Sequence, residues 1–146
     1  MRLSPPGGAF SVRRPEGGDG DRSPGGTPRP AVSTAPVQRV PVNQDGLLNV
    51  LTSHATSGLA VIETGAGSDD DLLAAFREVL RADDRWQDRH GGAGPGRDHM
   101  LPALVPPHAT LPVVGGELEL GASQSVVLVT TGRDAPGRTV RLSFLG

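Results

Sequence analysis

Histidine has the widest chemical range of the side chains in this sequence, which contains only His54, His90, His99 and His108. An imidazole near neutral pH can move a proton, bind phosphate when it is protonated, or ligate a metal when it is neutral. His90 and His99 flank a glycine-rich loop, so they lack the spacing of three or four residues that places two ligands on one helix face. The sequence leaves two alternatives open for these rings: a shared polar site, or separate structural roles.

The loop "GGAGPGR" between His90 and His99 carries groups that bind anions. Its backbone N–H groups can form an anion nest, and the guanidinium of Arg97 is a fixed positive charge that matches phosphate geometry. We therefore predict phosphate binding at this loop. The alternative is an ordinary surface loop, which glycine and proline explain without any ligand.

The composition excludes several kinds of chemistry. Cysteine and tyrosine are absent, and every one of the 14 basic side chains is arginine. Disulfides, thiolate nucleophiles, cysteine-based metal sites and a lysine Schiff base are therefore excluded. The formal net charge is -2, with arginine scattered among acidic residues, so no nucleic-acid partner is predicted. No apolar run reaches the roughly 20 residues that span a bilayer, so we expect no membrane partner and a cytoplasmic location.

The elements that position these residues follow from periodicity. Residues 46–53 and 57–63 are predicted as strands, the first buried on both faces or nearly so, with His54 at the bend between them. A helix follows, capped by Ser68, and the acidic run 69–71 is explained by its N-terminal dipole rather than by a metal. Its predicted apolar stripe consists of Leu72, Leu73, Phe76, Val79 and Leu80.

The second half of the chain is predicted to be mainly β. A short helix is capped by Asp98 and closed by Pro106, and strands then form two hairpins, one at Gly115-Gly116 and one at "GRDAPG". Residues 1–36 are rich in glycine and proline and lack apolar periodicity. We predict a disordered segment over 1–36 and a single domain over 37–146.

Several segments resemble the YjbQ-like family when they are taken in order: "HATSGLAVIE", "WQDRHGG", "GRDH", "LPVVGGELELGASQSVVLV" and "PGRTVRLSFLG". The resemblance covers residues 46–146. It implies an α+β fold, with a mainly antiparallel sheet, one main helix and a short second helix, that assembles as a homotrimer. Two features depart from the family pattern: Ser123 replaces a tryptophan, and the usual N-terminal strand and helix are replaced by glycine- and proline-rich sequence, in which only "VQRVPVNQDG" could supply a remnant.

The resemblance also implies a set of site residues. The implied catalytic residues are His54, Glu63, His90 and His99. The substrate-binding set consists of Thr56, Arg97, Gln124 and Arg138, of which Arg97 is our own addition from the loop. The three histidines would hold a divalent metal, Mg²⁺ or Zn²⁺, if one is bound. His108 lies outside this set and is predicted to be a surface residue.

Some members of the family are described as secondary thiamine-phosphate synthases. The resemblance therefore implies an enzyme that acts on a small phosphorylated substrate, joining a pyrimidine pyrophosphate to a thiazole phosphate with release of pyrophosphate. Two alternatives remain open. The protein is a non-catalytic trimer that binds a metal or an anion, or it is a truncated, inactive member of the family.

Overall fold

The structure is a computed structural model. It describes the backbone of residues 9–13, 31–34, 43–81, 85–88, 95–131 and 137–146, and the side chains of residues 43–81, 85–88, 96–131 and 138–146. The strands of these ranges are β1 (Ala9–Arg13), β2 (Ala31–Thr34), β3 (Gly46–Thr52), β4 (Ser57–Glu63), β5 (His108–Val114), β6 (Glu117–Leu118), β7 (Gln124–Thr130) and β8 (Gly137–Leu145). The helices are α1 (Ser68–Val79), a 3-10 helix (Pro95–Met100) and α2 (Leu101–Leu104).

The strands form two antiparallel sheets. The larger sheet has the order β1-β8-β3-β5-β6, and the smaller sheet has the order β2-β7-β4. The predicted α+β class, with a mainly antiparallel sheet, one main helix and a short second helix, is confirmed. None of the helices in the described ranges is long and apolar enough to cross a membrane.

Two apolar clusters define three layers. The first cluster packs the inner faces of the two sheets together, with Leu48 and Val140 from the larger sheet and Leu59 and Leu128 from the smaller. The second cluster packs the outer face of the smaller sheet against α1 and α2. Strand β7 is therefore covered on both faces, and Val126 to Val129 are all at most 3% exposed.

Strand β3 is buried on one face and partly covered on the other, so the prediction of a strand buried on both faces or nearly so was wrong for the second face. Leu48 and Val50 are 2% and 1% exposed, whereas Leu47 between β8 and β5 is 45% exposed. The alternation follows from the two-residue period of a strand. The sequence hides it because the outward position of Leu47 is also apolar.

Two local predictions about helix ends were also wrong. Helix α1 begins at Ser68, but its N-cap is Gly67 in the left-handed conformation, with no side-chain cap hydrogen bond. Asp98 lies inside the 3-10 helix, and the N-cap of α2 is Met100. The acidic residues of the first turn of α1 are as predicted, and α2 ends before Pro106.

One predicted hairpin is confirmed and the other was wrong. Strands β5 and β6 pair through Gly115 and Gly116, whose φ angles of 57° and 82° suit the turn that such a hairpin needs. Strands β7 and β8 do not pair with each other. Strand β7 lies between β2 and β4, while β8 lies between β1 and β3, so the chain crosses from one sheet to the other.

Strands β1 and β2 occupy positions for which the sequence predicts disorder. Strand β1 pairs with β8 at one edge of the larger sheet, and β2 pairs with β7 at one edge of the smaller sheet. Main-chain hydrogen bonds to an existing strand can order a segment that has little apolar periodicity of its own. The other residues of 1–36 lie outside the described ranges, and the domain boundary at 37 stays a prediction.

Candidate functional site

The buried polar side chains of the described residues gather at one end of the two sheets. At this end β3 stops, β4 starts, β7 stops and β8 starts, since Thr52 pairs with Val140 and Ser57 pairs with Thr130. We call this the polar end. Its buried polar residues are Thr52, Thr56, Ser57, Arg97, Asp98, Thr131 and Arg138.

His54 lies in the bend between β3 and β4, as predicted, and is partly buried. Its Nδ1 accepts a hydrogen bond from the backbone N–H of Thr56 at 3.3 Å and lies 3.1 Å from the Thr56 hydroxyl. An Nδ1 that accepts a backbone N–H carries no proton, so the neutral ring carries its proton on Nε2. The polar end therefore presents the His54 ring as a hydrogen-bond donor through Nε2.

Hydrogen bonds from the end of β7 connect Thr56 to the 3-10 helix. The N–H of Thr131 donates to the carbonyl of Thr56 at 3.0 Å, and the hydroxyl of Thr131 donates to the carbonyl of Asp98 at 3.4 Å. The hydroxyl of Thr130 also donates to the Thr56 carbonyl, at 3.3 Å. The His54 bend and the segment that carries Arg97 are thus held on the same strand end.

Arg97 and Asp98 form a buried ion pair. The Nε of Arg97 lies 3.3 Å from Oδ1 of Asp98, and the two side chains are 6% and 5% exposed. Burial raises the pKa of Asp98 because it disfavours the charged carboxylate, and the positive charge of Arg97 opposes that shift. The sequence does not reveal the role of Asp98, because an acidic residue before a short helix is typical of a cap.

Arg138 joins the polar end through the register of β8. Val140 pairs with Thr52 in an antiparallel register. Two residues further along, Arg138 would therefore pair with His54 if β3 continued. Arg138 is 6% exposed and shares a strand face with the buried residues Val140 and Leu142. The sequence-predicted residues His54, Thr56, Arg97 and Arg138 are therefore brought to the same end of the sheets.

His99 lies beside Arg97 and Asp98 in the 3-10 helix and pairs with an acidic residue that sequence analysis missed. Its Nδ1 is 2.7 Å from Oδ2 of Asp88, and the two side chains are 42% and 31% exposed. Asp88 stands immediately before "RH" in the sequence. The proximity of an acid to a predicted catalytic histidine was the available signal, but it did not show which ring the acid would contact.

Glu63 and Gln124 lie at the opposite end of the smaller sheet. They pair with each other, six residues along β4 from Ser57, which corresponds to about 20 Å. Both side chains are exposed, and Oε1 of Gln124 accepts a hydrogen bond from the N–H of Gly121 at 2.8 Å. One copy of the chain does not bring them to the polar end, and their roles in catalysis and binding stay predictions.

The predicted metal site depends on a residue that the structure does not describe. His90 and most of the loop before Arg97 lie outside the described residues. Within the described part of the chain, no group of three His, Cys, Asp or Glu side chains is placed to hold a metal ion. The proposed three-histidine site therefore stays a prediction. His108 is exposed on β5, as predicted.

The raised pKa of Asp98 predicts how stability depends on pH. The unfolded chain loses this proton near the ordinary value of 3.8, whereas the native protein retains it to higher pH, so the native state binds more protons and its stability falls as pH rises from about 4. Asp98→Asn removes this contribution. The free energies of unfolding of Asp98→Asn and of the unmodified protein are measured by urea denaturation at pH 4 to 7. As pH rises, we expect the variant to become more stable relative to the unmodified protein.

The control for this measurement is Asp70→Asn, which replaces an exposed carboxylate in the first turn of α1. Its difference from the unmodified protein should not show the trend of the Asp98 variant. A constant difference between Asp98→Asn and the unmodified protein over the whole pH range would contradict the assignment of a raised pKa to Asp98.

Comparisons with known proteins agree with this architecture. A family model described as "UPF0047 protein YjbQ-like" matches residues 32–146, and the match starts within β2. UPF0047 proteins of Mycobacterium bovis and Mycobacterium tuberculosis are each 53% identical to the chain over 103 residues, which cover 70% of the chain and 80% of either relative.

Two solved structures are similar in fold. A crystal structure of a hypothetical protein from Aeropyrum pernix has a TM-score of 0.72 and 26% identity, and the match covers 96% of this chain and 98% of that one. A YbjQ-like protein from Sulfolobus solfataricus has a TM-score of 0.76 at 16% identity, with 96% of both chains covered. At 16% identity, the similarity to the Sulfolobus protein is a similarity of fold alone.

Proposed function

The chain belongs to the YjbQ-like UPF0047 family, and on this premise we propose that it binds a phosphorylated small molecule at the polar end and transforms it there. The observation that carries the proposal is the burial of two arginines, Arg97 and Arg138, at the end of the sheets that holds His54. Among the described residues, the buried charged side chains are these two arginines and Asp98. The two guanidinium groups place fixed positive charge at this end of the sheets, and fixed positive charge attracts an anionic ligand.

The chemistry of the arginines supports phosphate as that anion. A guanidinium keeps its charge at every physiological pH and donates two parallel hydrogen bonds to a phosphate. Electrostatic interactions are stronger where water is scarce, so a buried arginine stabilises charge that develops in a transition state more than an exposed one does. In the proposed reaction that charge develops on a leaving pyrophosphate.

The histidines supply proton transfer and hydrogen bonds. Thr56 fixes the ring of His54, which in its neutral form carries its proton on Nε2. His99 is partly exposed, so that its ring is accessible to a ligand. His90 completes the catalytic set in this proposal, with Mg²⁺ or Zn²⁺ as an optional partner of the three rings. The specific reaction we propose joins a pyrimidine pyrophosphate to a thiazole phosphate and releases pyrophosphate.

The homotrimer concerns Glu63 and Gln124, which lie at the end of the smaller sheet opposite the polar end. Because Glu63 and Gln124 lie about 20 Å along the strand from the polar end, they can act at that end only if another copy supplies them. The homotrimer that the family resemblance implies is part of this proposal for that reason.

The test compares two arginines of β8 that differ in burial. Arg138 is buried and Arg141 is exposed, so Arg138→Met and Arg141→Met remove the same charge from the same strand. By isothermal titration with pyrophosphate, we expect Arg138→Met to weaken binding at least about 10-fold, as the loss of a charge-assisted hydrogen bond does. Arg141→Met should change the affinity little. Thermal unfolding identifies any variant that has lost its fold.

Turnover is measured as pyrophosphate release from a mixture of the pyrimidine pyrophosphate and the thiazole phosphate. Release that requires Arg138 supports the enzyme. Pyrophosphate binding without release, under the same conditions, favours the non-catalytic anion-binding protein. Equal loss of affinity in the two arginine variants would contradict a binding site at the polar end.

A further inference from the structure

Asp88 and His99 form a close pair at the surface beside the polar end. The 2.7 Å between Oδ2 of Asp88 and Nδ1 of His99 is a hydrogen-bond distance, and a carboxylate can only accept. Nδ1 of His99 must therefore carry the proton that forms this bond. In the neutral ring, Nε2 is then left with its lone pair.

Contacts of Trp86 and Gly96 place the backbone segment that carries Asp88. The indole N–H of the nearby Trp86 donates to the carbonyl of Arg81 at 2.6 Å, and the Trp86 ring packs on the second apolar cluster. Gly96 in the 3-10 helix lies so close to this segment that a Cβ there would be 2.7 Å from the Asp88 carbonyl and 2.8 Å from Cβ of Trp86. The absence of a side chain at Gly96 lets the Asp88 segment reach the helix that carries His99.

The two described histidines near the site are held in opposite tautomers. Nδ1 of His54 accepts a hydrogen bond from the Thr56 N–H, so His54 presents Nε2–H as a donor. Nδ1 of His99 donates to Asp88, so His99 presents Nε2 as an acceptor. The two tautomers serve different parts of a ligand, because phosphate oxygens accept a hydrogen bond from a ring N–H, whereas a ring nitrogen with a lone pair accepts one from a donor group of the ligand.

We infer that Asp88 is a positioning residue, which holds His99 with its proton on Nδ1 and so makes Nε2 of His99 the hydrogen-bond-accepting, ligand-binding nitrogen of the site. The inference rests on the proposed function for the identity of the ligand, but the tautomer can be measured without any ligand. Asp88 acts through His99 and need not touch the substrate. The same relation, in which a carboxylate fixes the ring of an active histidine, recurs at catalytic and metal sites.

The experiment is NMR of the full-length ¹⁵N-labelled protein at pH 8, well above the ordinary histidine pKa of about 6.5. The ¹⁵N shifts of the two ring nitrogens report which one carries the proton. In the unmodified protein we expect the proton on Nδ1 in His99 and on Nε2 in His54. Asp88→Asn should move the His99 proton to Nε2, because the asparagine amide can donate to Nδ1, while His54 serves as an internal reference.

Kinetics give the second measurement. We expect Asp88→Asn to lower kcat for pyrophosphate release about 10- to 100-fold, with a smaller change in KM, as loss of an orienting carboxylate does elsewhere. Asp70→Asn, which removes an exposed carboxylate from α1, should change neither the His99 tautomer nor kcat. Gly96→Ala should displace the Asp88 backbone and give a mixture of His99 tautomers.

The result that overturns the inference is a His99 ring that carries its proton on Nε2 in the unmodified protein. An Asp88→Asn variant with both the His99 tautomer and the kcat of the unmodified protein overturns it equally. Because the first of these measurements needs no variant, the inference can be tested even if Asp88→Asn fails to fold. If the tautomers are as expected and pyrophosphate shifts no resonance of His99 or His54, Asp88 keeps its positioning role and the proposed function is wrong.

Discussion

Arg97→Met is expected to lower the free energy of unfolding by about 3–5 kcal/mol, which is a large part of the 5–15 kcal/mol typical of a folded domain. The side chains of Arg97 and Asp98 are 6% and 5% exposed, so the substitution leaves a carboxylate in the interior beside an apolar side chain. Urea denaturation at pH 7 measures the loss. The affinity for pyrophosphate should fall in the same variant.

The pH dependence of the stability of Arg97→Met is a stricter test of the ion pair. The charge of Arg97 is a cause that lowers the pKa of Asp98, so its removal lets burial raise that pKa further. With a higher pKa, the Asp98 carboxyl group stays protonated up to a higher pH. A neutral carboxyl group costs less to bury than a charged one. The destabilisation by Arg97→Met should therefore be largest near pH 7 and smaller near pH 4.

The double variant Arg97→Met, Asp98→Leu separates the structural role from the binding role. Replacing both members of a buried ion pair with apolar side chains is often neutral or stabilising, so most of the lost stability should return. Pyrophosphate binding should not return with it. Arg77→Met on the exposed side of α1 is the matched control and should change stability by no more than about 0.5 kcal/mol. A double variant as unstable as Arg97→Met would show that the pair is not the source of the effect.

Local features of the fold were the part that the sequence could predict. The spacing of Leu72, Phe76 and Leu80 places them on one row of α1 and its C-cap, where Leu80 belongs to the second apolar cluster and the other two pack against it. Val79, which the predicted stripe included, is 58% exposed at the end of the helix. The glycine pair of the β5–β6 turn also predicted its hairpin, because a two-residue turn with positive φ is a local requirement.

Strand partners were not predictable from the same patterns. The strands β7 and β8 are both apolar and close in sequence, which is typical of a hairpin, yet the two strands belong to different sheets. Period and composition indicate that a segment is a strand but not which strand lies beside it. Strands β1 and β2 were missed for the same reason, since what orders them is pairing with β8 and β7.

In the candidate site, too, local contacts could be predicted from the sequence, whereas contacts between distant segments could not. His54 and Thr56 are two residues apart, so their contact at the bend is local, and the family resemblance named both residues. The pairing of Asp88 with His99 depends instead on how the segment after α1 packs against Gly96. No period or motif in a single sequence encodes that packing. Sequence analysis therefore identified the histidine but not the carboxylate that orients it.

Gly58→Ala is expected to destabilise the protein by about 2–4 kcal/mol and to weaken ligand binding at a distance. Gly58 is buried in β4, and a Cβ there would collide with the carbonyl oxygen of Val105 and lie 2.8 Å from its Cβ. Because one of these contacts is backbone, a side-chain rotation cannot relieve it. The substitution must push the end of α2 away from β4. This breaks the hydrogen bond from the Leu59 N–H to the Pro106 carbonyl, in which the N···O distance is 2.8 Å.

Amide hydrogen exchange tests this mechanism directly, because the Leu59 N–H should exchange faster in Gly58→Ala than global destabilisation accounts for. The displacement also bears on function: α2 continues the 3-10 helix that holds Arg97 and His99, so a shift at Val105 moves both relative to Thr131. Gly65→Ala is the control, since nothing lies within 4 Å of its Cβ and only its φ of 90° is strained. That variant should lose about 1–2 kcal/mol while Leu59 exchange and pyrophosphate affinity stay unchanged. If Gly58→Ala leaves the Leu59 exchange rate unchanged, the close packing of β4 on α2 does not position the site.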